Sequence, residues 1–349
     1  MPRTARQAAR PARLRPAMLA GALAAAAVVA VAALLFGAAG LPPGGVLREL
    51  LDLVPFVHVD SGLTAVERNV LVQLRLPRVL LGAAVGGLLA IAGAGYQGVF
   101  RNPLADPYLL GAAAGAGLGA TLVIVFAPVD PSLGVPVAAF AGAVAGVFLA
   151  YVLGSTTGRG GAATLVLAGV AVASFLTAAQ TFVQQMRVAE LQRIYAWLLG
   201  GLAAADWRTL GMIAPYAGLS TVILLAHGRL LDVLSVGDDE AASLGLSAAR
   251  VRLVVLAAAS LATASAVAVS GLIGFVGIVV PHLVRRLAGG SYRVVLPLSL
   301  LVGAAFLMLA DLLARTVVAP GELPLGVVTA FVGAPFFIAV LRATRGVRT

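Results

Sequence analysis

What most constrains this chain is a succession of apolar stretches, each close to ~20 residues long and free of charge. An α-helix needs about that length to cross a hydrocarbon layer of roughly 30 Å, and aqueous core helices seldom run so far without a charged residue. Nine stretches qualify: Ala17–Phe36, Val79–Phe100, Tyr108–Phe126, Pro136–Gly154, Ala162–Val183, Leu210–Ala226, Leu253–Gly271, Val294–Ala310 and Leu323–Leu341. A further piece, Leu272–Val284, is only ~13 residues long and reads as a half-span or a buried helix. Of the 349 residues, 61% are hydrophobic and 11% charged. Soluble domains average roughly 45–50% apolar and about 25% charged, so water could not cover what this chain would expose. The expected fold is all-α: a polytopic integral membrane protein.

Charge placement sets the number of crossings. Arg3, Arg6, Arg10, Arg13 and Arg15 crowd one end of the chain, and Arg342, Arg345 and Arg348 the other. The positive-inside rule puts both ends in the cytoplasm, which requires an even number of spans. Counting Leu272–Val284 as the tenth meets that requirement, and the inner segments then hold 16 arginines against 8 outside. The first span also has features of a signal peptide, an arginine-rich start and Gly37-Ala38-Ala39 after the apolar run. Its ~20 apolar residues exceed the usual h-region of about 7–15, so a retained first helix is expected. The organisation read from this pattern is an arginine-rich tail over 1–16, one transmembrane domain over 17–342 and a cytoplasmic tail over 343–349. The longest polar interval, 38–76, is too short for a separate soluble domain.

Missing residue types exclude whole classes of chemistry. Without cysteine there are no disulfides, thiolate metal sites or cysteine nucleophiles. All 24 basic residues are arginine, and a P-loop needs its lysine on the nucleotide phosphates. Any ATP-driven step must therefore come from a partner chain. The net charge of +10 would suit nucleic acid, but the arginines sit at the ends of apolar stretches, which fits membrane orientation and no nucleic-acid partner. His58, His227 and His282 show no metal-ligand spacing, and no nucleophile–base pair stands out, so neither a metal nor catalytic residues are expected. His282, after Pro281 and beside Arg285 and Arg286, reads as structural or interfacial, with a gate or substrate contact as the alternative.

Glycine spacing supplies the packing rule. Gly111, Gly115 and Gly119 form a G-x-x-x-G-x-x-x-G series, and Gly82 with Gly86 and Gly142 with Gly146 repeat the interval. Small residues four apart give a flat helix face where neighbouring backbones approach closely. Residues 115–120 also spell G-x-G-x-x-A, but a dinucleotide fingerprint must follow a strand, and this one lies inside an apolar span. The most polar long span is Ala162–Val183. In it Thr177, Gln180 and Thr181, with Gln184 just beyond, recur at intervals of three and four on one face. Polar atoms at membrane depth need partners or water, so that face meets either another helix or a translocation path. Asp311 and Arg315, at i and i+4, can pair on one helix face.

From Arg75 onward the residues resemble the permease family of ABC importers for iron-siderophores, haem and cobalamin. The resemblance rests on Arg75-Leu76-Pro77-Arg78, on Gln97 with Arg101-Asn102-Pro103-Leu104-Ala105-Asp106-Pro107, and on the run from Gly271 through Gly277 to Pro281-His282. Asp311 with Arg315, Leu323-Pro324-Leu325-Gly326 and Gly333-Ala334-Pro335-Phe336 complete a series in family order. It implies a homodimer of ten-helix subunits in a bacterial or archaeal cell (inner) membrane, with a metal chelate passing along the subunit interface. An iron-siderophore leads as substrate, with haem and cobalamin open. The implied partners are a second copy, two cytoplasmic ATPase subunits that bind the ATP and magnesium, an extracytoplasmic substrate-binding protein and membrane lipid. No cofactor is implied in this chain.

The same resemblance assigns residues. The cytoplasmic interval 227–252 becomes the loop that couples to the ATPase, through Gly237, Asp238, Asp239, Glu240, Ala241, Ser243, Leu244, Gly245 and Leu246. Its acidic start and Gly245 suit short capped helices. Arg75, Arg78 and Arg315 become contacts to acidic residues of the binding protein, and Thr164, Thr177, Gln180, Thr181 and Gln184 the translocation path. The entry to that path, Gly160-Gly161-Ala162-Ala163-Thr164, carries fewer hydroxyls than the Ser/Thr gate of some members. An ion-coupled secondary transporter is the alternative, and would use an intramembrane acid such as Asp311. A membrane-embedded enzyme ranks third.

Overall fold

The structure, a computed structural model, describes residues 14–37, 40–52, 54–56, 58–127, 131–156 and 162–345. Arg3, Arg6, Arg10, Arg13, Arg348 and the glycine pair at 160 and 161 lie outside the described residues. Every regular element among those described is helical. In chain order they are α1 (Pro16–Leu35), α2 (Pro43–Asp52), α3 (Ala65–Asn69), α4 (Leu76–Phe100), α5 (Ala112–Phe126), α6 (Pro131–Thr156) and α7 (Ala162–Met186). There follow α8 (Leu191–Leu198), α9 (Trp207–Ala226), α10 (Gly228–Val236), α11 (Asp238–Ser243), α12 (Ala248–Ser270), α13 (Val276–Ala288), α14 (Tyr292–Thr316) and α15 (Leu325–Arg345).

Among the described residues seven helical runs are long and apolar enough to cross a membrane: α1, the continuous run Ala65–Phe100, α6, α7, α9, α12 and α14. The apolar helix α5 and the apolar part of α15 are shorter, and α13 has 13 residues. These ten helices coincide in sequence with the nine apolar stretches and the short piece. The run Ala65–Phe100 starts at a capping box, in which Thr64 accepts from the Glu67 amide while the Glu67 carboxylate accepts from the Thr64 amide. A widened π turn, Val70–Arg75, joins α3 to α4 just before Pro77, which has no N–H to give its own turn.

Helix α4 is the axis of the bundle. It packs against α14, α12, α13, α9 and α10, and 83% of its span is buried, against 11% for α1. Its glycines allow this. A Cβ on Gly86 would strike the carbonyl oxygen of Gly303 on α14, and one on Gly93 would strike the backbone of Gly277 on α13. The G-x-x-x-G series behaves alike: Gly115 lies against Gly142, Gly119 against Ala138, and Gly146 against Gly111, sealing α5 onto α6. Residues 115–120 are thus a packing face, as their place inside a span required.

Two boundaries differ from the sequence expectation. The third span begins at Ala112, not Tyr108, because Arg101 (φ 49°) ends α4 in the left-handed region and turns occupy the residues up to Gly111 (φ 81°). The short piece is helical only from Val276: Gly271 (φ 66°) and Phe275 (φ 69°) bracket an extended stretch inside the bundle. Backbone groups exposed by that break find partners nearby. The Tyr108 hydroxyl donates to the Ile273 carbonyl (3.0 Å) and accepts from the Ile273 amide (3.2 Å). The Gly201 amide donates to Ser270 (2.8 Å), and the amides of Leu325 and Gly326 donate to Gly200 and Leu199 (3.0 Å each).

Because the atoms opposing Gly86 are backbone, the helices cannot yield by a rotamer change. Gly86→Leu is expected to lower the thermal unfolding midpoint of the purified chain by many degrees. Gly211→Ala, on open space in α9, should leave it unchanged or slightly raised. Equal midpoints for the two variants would refute close α4–α14 packing.

Candidate functional site

The helices carry chemistry at three places: a polar cavity along α7 and one charged cluster at each end of α4. With 25 residues at 1.5 Å each, α4 holds the two clusters about 37 Å apart.

The cavity, about 430 Å³, opens between α7, the start of α5 and α8. Thr177, Gln180, Thr181 and Gln184 all line it, together with Tyr108 and Tyr195. The period of three and four therefore does place four polar side chains on one wall, where Thr177 and Thr181 are exposed to the cavity while Gln180 and Gln184 are buried at its edge. Gln180 reaches across to Gly117 of α5, where any Cβ would press on its amide. Thr181 donates its hydroxyl proton back to the Thr177 carbonyl (2.9 Å), as a hydroxyl in an apolar helix commonly does. No charged side chain lines the cavity. Thr164 does not join this group: it lies 13 residues before Thr177, about 20 Å along the helix. Tyr108, which the sequence placed only at the edge of a span, both lines the cavity and holds the extended stretch at Ile273.

At the Arg78 end, Arg75, Arg78 and Arg315 come together around Asp311 and Glu322, though not as three exposed cations. Arg78 uses one edge of its guanidinium on Asp311 (Nε and Nη2 to Oδ1, 3.0 and 2.8 Å) and the other on Glu322 (Nη1 and Nη2, 2.8 and 2.9 Å). Asp311 is buried, with 3% of its side chain exposed, whereas Glu322 is 42% exposed. Arg315 Nε lies 3.3 Å from Asp311 Oδ2 without hydrogen-bond alignment, so the i,i+4 pair is a charge contact secondary to Arg78. The remaining arms of Arg315 and Arg75 point inward. Arg75 donates to the carbonyls of Leu34 (2.7 Å) and Leu35 (3.2 Å), and Arg315 donates to Ala33. Both guanidinium groups thus close the C-terminal turn of α1, where unpaired carbonyls and the helix dipole favour cations. At 6% exposure each, Arg75 and Arg315 turn little surface outward, and Arg78 with Glu322 forms the outward part of the cluster. The Arg78 hydrogen bonds hold the Glu322 carboxyl below its ordinary range.

At the Arg101 end, α10 and α11 lie across the bundle. Asp238, first residue of α11, accepts from Arg252 of α12 (2.6 Å) and from Arg101, the residue that ends α4. Arg101 also donates to the Leu234 carbonyl of α10 (2.7 Å). Asp232 of α10 accepts from the Tyr292 amide (2.6 Å) and the Ser291 hydroxyl (2.7 Å), tying α10 to the start of α14. Helix α11 ends as its glycine foretold: Gly245 (φ 76°) lets the Gly245 amide bond Ala242 (2.9 Å) and the Leu246 amide bond Ala241 (3.0 Å). Ala241 is buried and Ser243 bonds the Glu240 carbonyl (2.8 Å), while Asp239, Glu240 and Leu244 face outward. The Asp238 carboxyl is held below the usual range, first by its hydrogen bond from Arg252. Beside this cluster Arg285 bonds Gln97 and stacks over Tyr292 (5.4 Å). His282 stands edge-on to Phe336 of α15 (5.9 Å between ring centres).

Arg101, Arg252 and Glu322 were not singled out as site residues from the sequence. Arg101 lay in a quoted motif but had no assigned partner, and the partners of all three are 14 to 244 residues away.

The description of the FecCD transport family matches residues 22–343. The chain is 43% identical to an uncharacterized ABC transporter permease protein of Bacillus subtilis (strain 168), over 80% of this chain and 81% of that one. It is 40% identical to a cobalamin import system permease protein of Halobacterium salinarum (86% and 80% covered) and 41% identical to a hemin transport system permease protein of Yersinia pestis (80% and 85%). Among solved structures, an inward-facing metal-chelate type ABC transporter is similar at TM-score 0.83 and 30% identity, over 94% of this chain and all of that one.

The two carboxylates on Arg78 are separable by burial. Arg78→Ala leaves Asp311 buried without a hydrogen-bonded cation, facing only the misaligned charge of Arg315, a loss approaching about 3–5 kcal/mol. Glu322→Gln removes a half-exposed pair worth about 0–1 kcal/mol. Chemical denaturation of the purified chain should rank them in that order; equal losses would mean Asp311 does not depend on Arg78.

Proposed function

The chain belongs to the FecCD transport family, and on that premise we propose that it is half of a homodimeric ABC importer pore carrying a bulky metal chelate into the cytoplasm. The observation that carries this reading is the pair α10 and α11, too short to cross and pinned by Arg101 and Arg252 at one end of the bundle. Helices held in that way suit the docking of a separate ATPase, which supplies the nucleotide chemistry that a lysine-free chain lacks. The arginine bias makes this the cytoplasmic end, with both termini on the same side. The opposite end, where Arg78 and Glu322 face outward, then meets the substrate-binding protein.

A second copy of the chain would lie against α7 and α15, whose large side chains Phe175, Phe182 and Phe331 are exposed. That arrangement encloses the α7 cavity between two subunits and turns its amides and hydroxyls towards the passing substrate. An uncharged wall neither selects nor traps by charge, so discrimination falls to the binding protein. Relatives are named for cobalamin, hemin and Fe(3+) dicitrate import. We favour an iron chelate such as a ferric siderophore here. An ion-coupled mechanism has less support, because Asp311 is engaged by Arg78 on two hydrogen bonds.

Reconstitution with an ATPase and a binding protein in proteoliposomes tests the assignment. ATP-dependent chelate uptake should persist when ion gradients are collapsed, and uptake that needs a gradient but no ATP would overturn it. In the same system Asp238→Asn should cut uptake several-fold while ATP hydrolysis continues, since the clamp from α11 to α4 and α12 is lost. Asp238 titrates below the ordinary carboxylate range when folded, so its contribution is complete above the unfolded value near ~4 and fades only as pH falls through the lower folded value. Coupling by this clamp should therefore be flat from about pH 5 to 8; a loss between pH 6 and 7 would exclude it.

At the outer end, a carboxylate from the binding protein can take the edge of Arg78 that Glu322 now holds. Glu322→Gln should then tighten docking, read as a slower dissociation rate. Unchanged kinetics would remove Arg78 from the docking surface.

A further inference from the structure

A groove unrelated to the pore runs along the outer face of α12, with α6 as one wall. Its half near the Arg101 end is a cavity of about 330 Å³ between Val144, Val147, Phe148 and Tyr151 of α6 and Leu253 to Leu261 of α12. A second cavity of about 140 Å³ continues it towards the other end, where Tyr216 of α9 joins the wall. The lining is almost wholly apolar, and both α12 hydroxyls in it are engaged, Ser260 with Tyr96 (2.7 Å) and Ser265 by donating to the Leu261 carbonyl (2.7 Å). Leu253 to Leu261 covers about 12 Å along the helix axis, close to one half of a bilayer core of roughly 30 Å.

The mouth of the larger cavity differs in character from its interior. Arg250 lies on α12 one turn before Leu253 and is exposed, with no partner for its guanidinium among the described residues. Tyr151, near the end of α6, is half-buried in the facing wall, and its hydroxyl likewise has no partner there. By helical register Arg250 shares the α12 face of Leu253 and Ala257, which looks towards the α6 wall carrying Tyr151, so a cation and a hydroxyl donor flank one end of the apolar slot. An aqueous anion would use the two donors but leave the slot empty, and a neutral hydrocarbon would fill the slot but leave Arg250 unpaired.

We propose that this groove is a binding site for an anionic phospholipid, with one acyl chain lying along α12 between residues 253 and 261 and the phosphate on Arg250 and Tyr151. Both parts of the ligand are needed. The chain gives contact in proportion to the apolar area it covers, and the phosphate gives the charge-assisted hydrogen bonds that a zwitterionic headgroup, with its own internal cation, offers less freely. Burial of the chain in a slot also distinguishes a retained lipid from the exchanging ring around any membrane protein.

Native mass spectrometry of the purified full chain, after equilibration with equal amounts of phosphatidylglycerol and phosphatidylcholine, tests this. One phosphatidylglycerol should be retained per chain, at least fivefold in preference to phosphatidylcholine. Arg250→Gln should abolish the preference while some lipid of either kind stays bound. Ala257→Trp, at an exposed position that fills the slot, should abolish retention of both with helicity unchanged by circular dichroism. Equal retention of the two lipids by the unmodified chain, or an undiminished preference in Arg250→Gln, overturns the proposal. So does disulfide cross-linking of two copies through Val144→Cys in native membranes, because a second copy would then cover the groove.

Discussion

Backbone hydrogen bonding inside an apolar bundle is the constraint on which the rest of this structure depends. Lipid offers no partners, so each unpaired amide or carbonyl at membrane depth costs several kcal/mol. A set of unbroken helices would meet that demand without help, but this chain breaks its helical path three times in one region: near Gly200, between Gly271 and Phe275, and before Leu325. The breaks satisfy one another. Gly200 accepts from Leu325, Ser270 accepts from Gly201, and the Tyr108 hydroxyl serves both the amide and the carbonyl of Ile273. Irregular backbone is tolerated because it meets other irregular backbone, and because the place where it does so adjoins an open cavity. Tyr108 belongs to both, which ties the shape of the cavity wall to the integrity of the break.

The same accounting explains the ends of the bundle. The last turn of α1 would leave carbonyls unpaired, and Arg75 and Arg315 close it from α4 and α14. Asp311 is buried at that end because Arg78 comes to it with two hydrogen bonds. At the other end Arg101 finishes α4 and holds α10 and α11. One buried helix therefore carries the anchoring cations of both ends, and its glycines hold it rigidly against α14 and α13. Packing this close leaves little slack for one end cluster to shift along the helix axis without the other. The link is mechanical: no extended relay of side chains is required, only a rod gripped at each end.

Much of this was legible in the sequence. Apolar run lengths marked the long helices, the glycine interval marked the close-packing faces that α5–α6 and α4–α14 use without naming which helices meet, and the three-and-four period of Thr177, Gln180, Thr181 and Gln184 gave one polar wall. These are local patterns, set by a helix's own geometry. The start of α13 was misjudged because Leu272 to Phe275 are apolar whether helical or extended, and only the left-handed backbone of Gly271 and Phe275 separates the two. The family resemblance assigned Arg75 and Arg315 to an outward docking surface, and no local pattern in the sequence indicated where their guanidinium groups turn. Their inward turn depends on α1, whose end lies 41 residues from Arg75 and 282 from Arg315. Glu322 was passed over for the same reason, since a surface glutamate in a loop gains its meaning only from Arg78, 244 residues away.

The exclusive use of arginine acquires a partial physical meaning from these contacts. Arg78 serves two carboxylates from two edges of one plane, Arg75 two successive carbonyls, and Arg101 a carbonyl and a carboxylate from different helices. A planar fork with five donors does this without reorienting, whereas an ammonium is a point charge that holds its hydration more tightly. At helix ends in a thin interfacial layer, where each cation must close a backbone turn and balance an acid at once, lysine would leave one of those groups unserved. Exposed positions such as Arg250 make no such double demand within the chain, and there the guanidinium keeps its whole fork free for a partner from outside.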